Sequence, residues 1–306
     1  MVLLRWWCYR SKMDGNKKMK ILITGSQGSL ASMIIPHLKS HTLVCMDKLN
    51  GQDLTDPQCI PREEYDLIIH CAALIYGVVG FHKCPADIFA DNILMTINLL
   101  KYAKTKKFVY ISSSMVYERC LAPHKEEDAD DSKVMHTEYG LSKYVCERLV
   151  KAFHNQYGLT YTIWRPFNII TPYETPKEVG VSHANVDLIE KIMVKKQMPL
   201  EVFGDGEQIR CYTSIHETAE AIAKFSLNPK SDNQTFNLAN REPITIKELV
   251  RLIVEIGKPK GYKLEFKYLP IYGDDVRRRE PDVDKMKRTF DWEAKMKIRL
   301  SLKECI

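Results

Sequence analysis

Short runs of β-branched and apolar residues alternate with longer stretches of helical period along most of this chain. Lys20–Thr24, Thr42–Met46, Leu67–His70, Phe108–Ile111 and Thr160–Trp164 predict buried strands. Ser29–Lys39, Pro85–Lys104 and Thr137–Tyr157 predict the helices between them. In the last of these, Leu141, Val145, Leu149 and Phe153 recur every four residues and form one apolar stripe. Pro36, inside the first, is expected to kink or shorten its helix. Strands alternating with helices imply βαβ units and a parallel, doubly wound sheet. The regularity loosens after Arg165, where Pro166, Pro172 and Pro176 mark loops. Ile215–Ser226 and Thr245–Gly257 read as helices again, and another begins at Leu300.

Composition narrows the classes of function. The chain has 306 residues, 45% of them hydrophobic and 27% charged, which is ordinary for a globular protein. No stretch approaches the roughly 20 apolar residues of a membrane helix, so no membrane partner is expected. The net charge of +6 is concentrated at the start, where residues 1–18 hold Arg5, Arg10, Lys12, Lys17 and Lys18 against Asp14 alone. The rest is nearly balanced, and no nucleic-acid partner is expected. Met1–Lys18 has an apolar run broken by Arg5 and no small-residue cleavage site, so it reads as a disordered extension rather than a secretory signal. The nine cysteines are scattered, with no Cys-x-x-Cys pair and no Cys/His cluster at metal-ligand spacing. Free thiols in a cytoplasmic protein without a metal site are the expectation.

The first strand runs directly into Thr24-Gly25-Ser26-Gln27-Gly28-Ser29-Leu30-Ala31. Glycines here allow a tight turn and close approach to a pyrophosphate, while the following helix aims its first N–H groups at the charge. Gly25, Gln27, Gly28, Ser29 and Leu30 are therefore candidate cofactor contacts. Ala31 stands where a third glycine is usual and is small enough for close helix packing. The second strand ends at Asp47, whose carboxylate is placed to accept both hydroxyls of an adenosine ribose and to repel a 2′-phosphate. That favours NAD over NADP, although Lys48 beside it argues mildly the other way. The bland reading of Asp47 is a turn cap.

Tyr139 and Lys143 stand four apart at the start of a helix, on one face and one turn apart. A nearby ammonium lowers the pKa of a tyrosine, which is otherwise a poor base at neutral pH. Ser112-Ser113-Ser114 follows the fourth strand, where a hydroxyl can hold a reacting oxygen.

With these motifs in this order, the chain resembles the extended short-chain dehydrogenase/reductase superfamily, in particular its NAD-dependent nucleotide-sugar epimerases and dehydratases. The likeness covers about residues 19–306. It includes Asp53-Leu54-Thr55-Asp56, Cys71-Ala72-Ala73, Asn92, Arg165-Pro166-Phe167-Asn168, Phe203 to Arg210, Arg279-Glu280-Pro281-Asp282, and Trp292. The resemblance implies a Rossmann-like sheet with a smaller C-terminal α/β lobe that binds substrate. Ser113, Tyr139 and Lys143 become the catalytic triad, with Lys143 also on the nicotinamide ribose. Asp53 and Leu54 would border the adenine, Ala72 would line the cofactor path, and Asn92 joins the cofactor set. Asn168, Arg210 and Arg279 would meet the diphosphate of a nucleotide-diphosphate sugar, and arginine forks suit phosphate oxygens.

Within that family, dehydratases usually carry an Asp-Glu pair where this chain has Ser114-Met115. Decarboxylases usually place a glutamate at the Met115 position, and 3,5-epimerising relatives a cysteine. Methionine has no proton to exchange near neutral pH. The expected activity is 4-epimerisation through a transient 4-keto sugar; a reductase or dehydrogenase of such a sugar uses the same triad. A non-catalytic dinucleotide sensor or RNA-binding relative is the third class, which the presence of both Tyr139 and Lys143 disfavours. Glu118 replaces the usual glycine after Val116-Tyr117, Thr171 stands where a glycine normally precedes Pro172, and Cys211, His216 and Glu217 depart from the pattern as well. His82 and Cys84 fall in a loop over the expected cleft.

The expected organisation is an extension over 1–18, a cofactor-binding domain over 19–172 to which 212–240 returns, and a substrate lobe within 173–306, mainly 173–211 and 241–306. By family analogy the chain is expected to form a homodimer through Pro85–Lys104 and Thr137–Tyr157.

Overall fold

A computed structural model describes residues 18–131, 134–135, 137–174, 183–271, 273 and 275–306. The expected extension, but for Lys18, and Pro176 lie outside the described residues. Thirteen strands are present among them: β1 Lys20–Thr24, β2 Thr42–Met46, β3 Glu64–His70, β4 Lys104–Ile111, β5 Thr160–Pro166, β6 Ile169–Ile170, β7 Leu200–Phe203, β8 Ile209–Cys211, β9 Thr213–Ser214, β10 Gln234–Leu238, β11 Pro243–Thr245, β12 Phe266–Leu269 and β13 Arg278–Arg279. The helices are α1 Ser29–Ile34, α2 Val78–Lys83, α3 Pro85–Tyr102, α4 Glu138–Tyr157, α5 Ala184–Ile189, α6 Ile215–Ser226, α7 Ile246–Gly257, α8 Asp284–Phe290 and α9 Ile298–Lys303.

Residues of the buried strands point alternately to the two faces of one sheet. Ile21 and Ile23 pack on one side with Ile34, Ala219, Ile222, Phe225 and Met286 from α1, α6 and α8. Leu22 points the other way, toward Leu99, Cys146 and Val150 of α3 and α4. The sheet is parallel throughout, in the order β2-β1-β3-β4-β5-β10. The chain leaves β2 on one side of β1 and returns as β3 on the other. That reversal opens a crevice at the carboxyl ends of β1 and β3, where doubly wound folds bind ligands. The segment between β2 and β3 holds two 3₁₀ turns instead of a helix.

The predicted strands and helices occur, with informative differences at their ends. Helix α1 stops at Ile34 and tightens into a 3₁₀ turn over Ile35–Leu38, with Pro36 near its start, as Pro36 led us to expect. Strands β3 and β4 begin earlier than hydropathy indicated because charged residues occupy their first positions. One of these, Lys107, is fully buried and donates to Ser231 Oγ at 2.9 Å and Asp232 Oδ1 at 2.6 Å. Thr245 lies just outside α7 and forms a reciprocal cap with Glu248. On α4 the expected apolar stripe is only half-buried; the face against the sheet carries Tyr139, Lys143, Cys146, Glu147 and Val150.

The C-terminal elements build a second core. β7 pairs with β12, β8 is flanked by β11 and β13, and β6 pairs with β9. Leu188, Leu200, Val202, Leu249, Ile253 and Leu302 fill the space between them and α5, α7 and α9. No described helix is long and apolar enough to cross a membrane.

Two histidines are buried in this framework. His70, at the end of β3, sits between Thr24 Oγ1 (2.8 Å) and Thr96 Oγ1 (3.2 Å). His124 stacks on Tyr117 with centroids 5.0 Å apart. Burial, reinforced by the charge of Lys143, holds His70 down to about 3; burial and the charge of Arg279 hold His124 down to about 4. An unfolded histidine titrates near 6.5. Between about pH 4 and 6.5 the unfolded chain therefore binds protons that the folded chain does not, and stability falls as pH is lowered through that window. Each histidine contributes a slope of about 1.4 kcal/mol per pH unit at full effect. Urea midpoints measured from pH 7 to 4.5 should fall accordingly, and His124→Phe should flatten the decline.

Candidate active site

At the end of β1 the chain turns through Gly25, whose φ of +67° lies in the left-handed region. A Cβ there would stand 2.8 Å from both the N and Cα of Ala72, so only glycine lets the turn rest against the segment leaving β3. Thr24 Oγ1 also accepts from Ala72 N at 3.4 Å. Gly28 N donates to Gly25 O at 2.9 Å, and α1 starts at the next residue. Gly25, Gly28, Ser29 and Leu30 thereby form one end of a cavity of about 580 Å³ that continues into the C-terminal lobe. That size is within the ordinary range for ligand sites.

Of the other expected cofactor contacts, Gln27, Asp47, Asp53, Leu54, Ala72 and Asn92 lie outside its wall. Asp47 Oδ2 accepts Gln27 N at 2.9 Å and its Oδ1 accepts Leu49 N at 3.0 Å, so it does cap a turn. Each carboxylate oxygen keeps a further acceptor site. Gln27 reaches Asn50 Oδ1 at 2.9 Å. Lys48 pairs with Asp53 at 2.8 Å, and that hydrogen bond holds the Asp53 carboxyl down to about 2. Leu54 is buried in the core beneath α3. Ala72 is the backbone against which Gly25 packs. Asn92 is held behind the cavity, accepting from Leu74 N at 2.8 Å and donating to Leu74 O at 3.0 Å, so it fixes the loop after β3.

Ser113, Tyr139 and Lys143 converge on the cavity from the end of β4 and the first turns of α4. Ser113 Oγ accepts Met115 N at 3.2 Å, and the Ser113 side chain is near enough to the Tyr139 phenol to oppose the rise of its pKa. Lys143 Nζ donates to Ile111 O at 2.9 Å and lies 5.8 Å from the Tyr139 ring centroid. Burial pulls Lys143 down to about 8. Burial also raises the Tyr139 phenol above its usual range, with the Ser113 side chain opposing it. Lys143, from which the Tyr-x-x-x-Lys spacing predicted a lowering, is not among the causes of that shift. Phe81 of α2 stacks on the Tyr139 ring at 5.1 Å and 9°.

Behind the triad lies a buried network that our sequence reading missed. Glu147 and Arg165 are both fully inaccessible and joined by Nη2–Oε2 and Nε–Oε1 bonds of 2.6 and 2.8 Å. Ser112 Oγ donates to Glu147 Oε1 at 2.5 Å, and Arg165 Nη1 donates to Tyr117 OH at 2.8 Å and Glu126 O at 2.7 Å. Tyr117 in turn donates to Asn237 Oδ1 at 2.6 Å. The available signal was helical spacing: Glu147 follows Lys143 by four residues and shares its face.

Toward the lobe, Asn168, Arg210 and Arg279 all line the cavity, but they differ in what they have left to offer. Asn168 donates to Cys211 O at 3.0 Å. Arg210 donates to Ile209 O, Val276 O and Asp275 Oδ1 at 2.7–2.8 Å. Arg279 is buried, and among the described residues its guanidinium has no hydrogen-bonded partner. Burial, then the charge of Arg210, pulls it to about 10, which leaves it cationic at neutral pH. Other residues of this wall were not anticipated. Asn185 Nδ2 and Gln208 Oε1 are buried without a partner among the described residues. Lys191 pairs with Asp187 at 2.8 Å, and His183 Nδ1 meets Glu174 Oε2 at 2.7 Å.

Known proteins resemble this chain in sequence and fold. The sequence pattern of the NAD dependent epimerase/dehydratase family matches residues 21–239. GDP-mannose 3,5-epimerase of Arabidopsis thaliana is 26% identical over 320 residues, which cover 94% of this chain and 81% of that protein. An epimerase of Methanothermobacter thermautotrophicus superposes with a TM-score of 0.83 at 23% identity, covering 95% of this chain and 91% of the other. UDP-glucose 4-epimerase of Thermotoga maritima, solved with UDP-glucose, gives 0.79 at 25% identity and covers 94% and 97%.

Glu147→Ala leaves Arg165 buried and uncompensated and should destabilise the protein by about 3–5 kcal/mol in urea unfolding. Replacing both partners with apolar residues, Glu147→Leu with Arg165→Met, should recover most of that loss.

Proposed function

Since the chain belongs to the NAD dependent epimerase/dehydratase family, we propose that it is a nucleotide-sugar 4-epimerase working through a transient 4-keto sugar. The observation that carries this reading is the convergence of Ser113, Tyr139 and Lys143 with the Gly25 turn on one cavity, where the side chain beside the serines is Met115. Methionine offers no acid or base, so the chemistry is left to the triad and a bound nicotinamide.

The turn fits a dinucleotide: Gly25 and Gly28 keep the backbone bare, and the wall from Ser29 to Lys143 is continuous. Bound NAD supplies the capacity to accept a hydride from the sugar carbon and return it. Ser113 holds the reacting oxygen, Tyr139 takes and later restores its proton, and Lys143 keeps positive charge beneath both. Arg279 receives the diphosphate, with Arg210 and Asn168 framing it. NAD is favoured over NADP because Asp47 stands at the ribose end and the adjacent cation, Lys48, is held by Asp53. On this reading the cofactor lies on 19–172 with 212–240, and the substrate against 173–211 and 241–306. The half-exposed stripe of α4 and exposed Leu94 on α3 suit a homodimer built on those helices. The free thiols of all described cysteines suit the cytoplasm.

The test is incubation with NAD and a panel of UDP-, GDP-, dTDP- and CDP-sugars in deuterated water. An isomer of unchanged mass, without carbon-bound deuterium, is expected. Deuterium at carbon would replace this reading with proton exchange at carbon, for which the Glu174–His183 pair is the available acid and base. Loss of water or carbon dioxide would also overturn it, and stoichiometric oxidation or reduction of the cofactor would mark a reductase or dehydrogenase. Separately, Asp47→Ala should lower the ratio of NAD to NADP affinity at least tenfold in direct titration.

A further inference from the structure

Ser113 and Tyr139 reach the cavity from different elements, so their spacing depends on how the turn after β4 meets the start of α4. We propose that Glu118 is a positioning residue that sets Tyr139 against Ser113 by gripping the N-terminal cap of α4; the proposal rests on the assignment of those two residues as the reacting pair. Thr137 is that cap, and its Oγ1 accepts Gly140 N at 3.0 Å. Glu118 holds Thr137 from both sides: one carboxylate oxygen accepts the Thr137 hydroxyl at 2.6 Å and the other accepts Thr137 N at 2.9 Å. Because the hydroxyl proton is directed to Glu118, the lone pairs of Oγ1 are left for the helix.

The two elements are in close contact at this point. A Cβ on Gly140 would stand 2.8 Å from Met115 O and 3.1 Å from the Glu118 carboxyl, so the residue after Tyr139 can only be glycine if the helix is to lie this deep. Met115 N is in turn held by Ser113 Oγ. A short chain of contacts therefore runs from Ser113 through the 114–118 turn and Thr137 to the first turn of α4. Glu118 is buried, and a buried carboxylate persists only where donors and positive potential meet it. Here these are the Thr137 groups, the positive end of a 20-residue helix, and the field of Arg279, whose own pKa Glu118 raises. Where the family pattern has a glycine, this chain thus carries a carboxylate that braces the cap of α4 within the field of Arg279.

A plain stability role would alter unfolding and leave the chemistry of the folded enzyme intact, so the test separates the two. In Glu118→Gln the amide replaces an acceptor of Thr137 N with a donor; Glu118→Gly removes the grip. For the intact enzyme we expect kcat to fall about tenfold to a hundredfold, the effect of a displacement of roughly 1 Å, with KM for the sugar and NAD affinity unchanged within twofold. Glu118→Asp should retain more kcat than either. Thr137→Val should lower kcat to a similar degree, and the Glu118→Gln/Thr137→Val double variant should be no worse than the weaker single. A substrate-independent arm follows amide exchange: in Glu118→Gln, residues 138–143 should exchange at least tenfold faster while 150–157 are unchanged. If no sugar on the panel is turned over, the function proposed above fails while the exchange arm still decides on Glu118. Unchanged exchange at 138–143, kcat within twofold of the parent, or additive losses in the double variant would overturn the proposal.

Discussion

The ion pair between Glu147 and Arg165, wholly removed from water, is the joint on which the rest of the site depends. Two charges in such a place are weak contributors to net stability, because desolvation offsets most of their attraction. What they provide is geometry. Glu147 is on the helix that carries Tyr139 and Lys143, Arg165 is on β5, Ser112 precedes Ser113, and Asn237 at the far end of the network is on β10. Every polar atom in that chain has a partner whose direction is fixed. The helix can neither slide nor rotate on the sheet without leaving a buried charge exposed to nothing.

The same dryness sets the electrostatics of the cavity. Desolvation disfavours the charged form of each group, so it raises the tyrosine and lowers the lysine and the open arginine. Burial alone favours the protonated phenol of Tyr139, so the proton exchange proposed for it has to draw on positive charge such as that of Lys143. Lys143 and Arg279 remain cationic, and both line the one cavity.

Much of this could be read along the chain, for reasons that particular residues make plain. Strands β1 and β2 were found at their observed ends because their apolar runs are bounded by turn chemistry, and Gly25 and Tyr139 announced themselves by order as much as by type. What pattern cannot convey is contact between distant segments. Lys107 reads as a surface charge until Asp232 lies beside it, and Glu147 as an ordinary helical glutamate until Arg165 is found against it. Asn92, expected at the cofactor by resemblance, is occupied by the Leu74 backbone. Arg210 and Arg279 look alike in sequence, and only the folded chain separates the arginine that is already satisfied from the one that is not. Residues 1–17 add nothing to either account.

Two buried atoms of the lobe, Asn185 Nδ2 and Gln208 Oε1, lack a partner among the described residues. Such atoms make a site selective through what it refuses. A ligand with an acceptor facing the first and a donor facing the second removes two deficits at once. A near-isostere lacking either group seals that atom away from both water and ligand, at a penalty of about 1–3 kcal/mol apiece. Discrimination among ligands that differ by one hydroxyl can therefore arise with no steric clash and no additional attractive contact, from a hydrogen bond that the wrong molecule fails to complete.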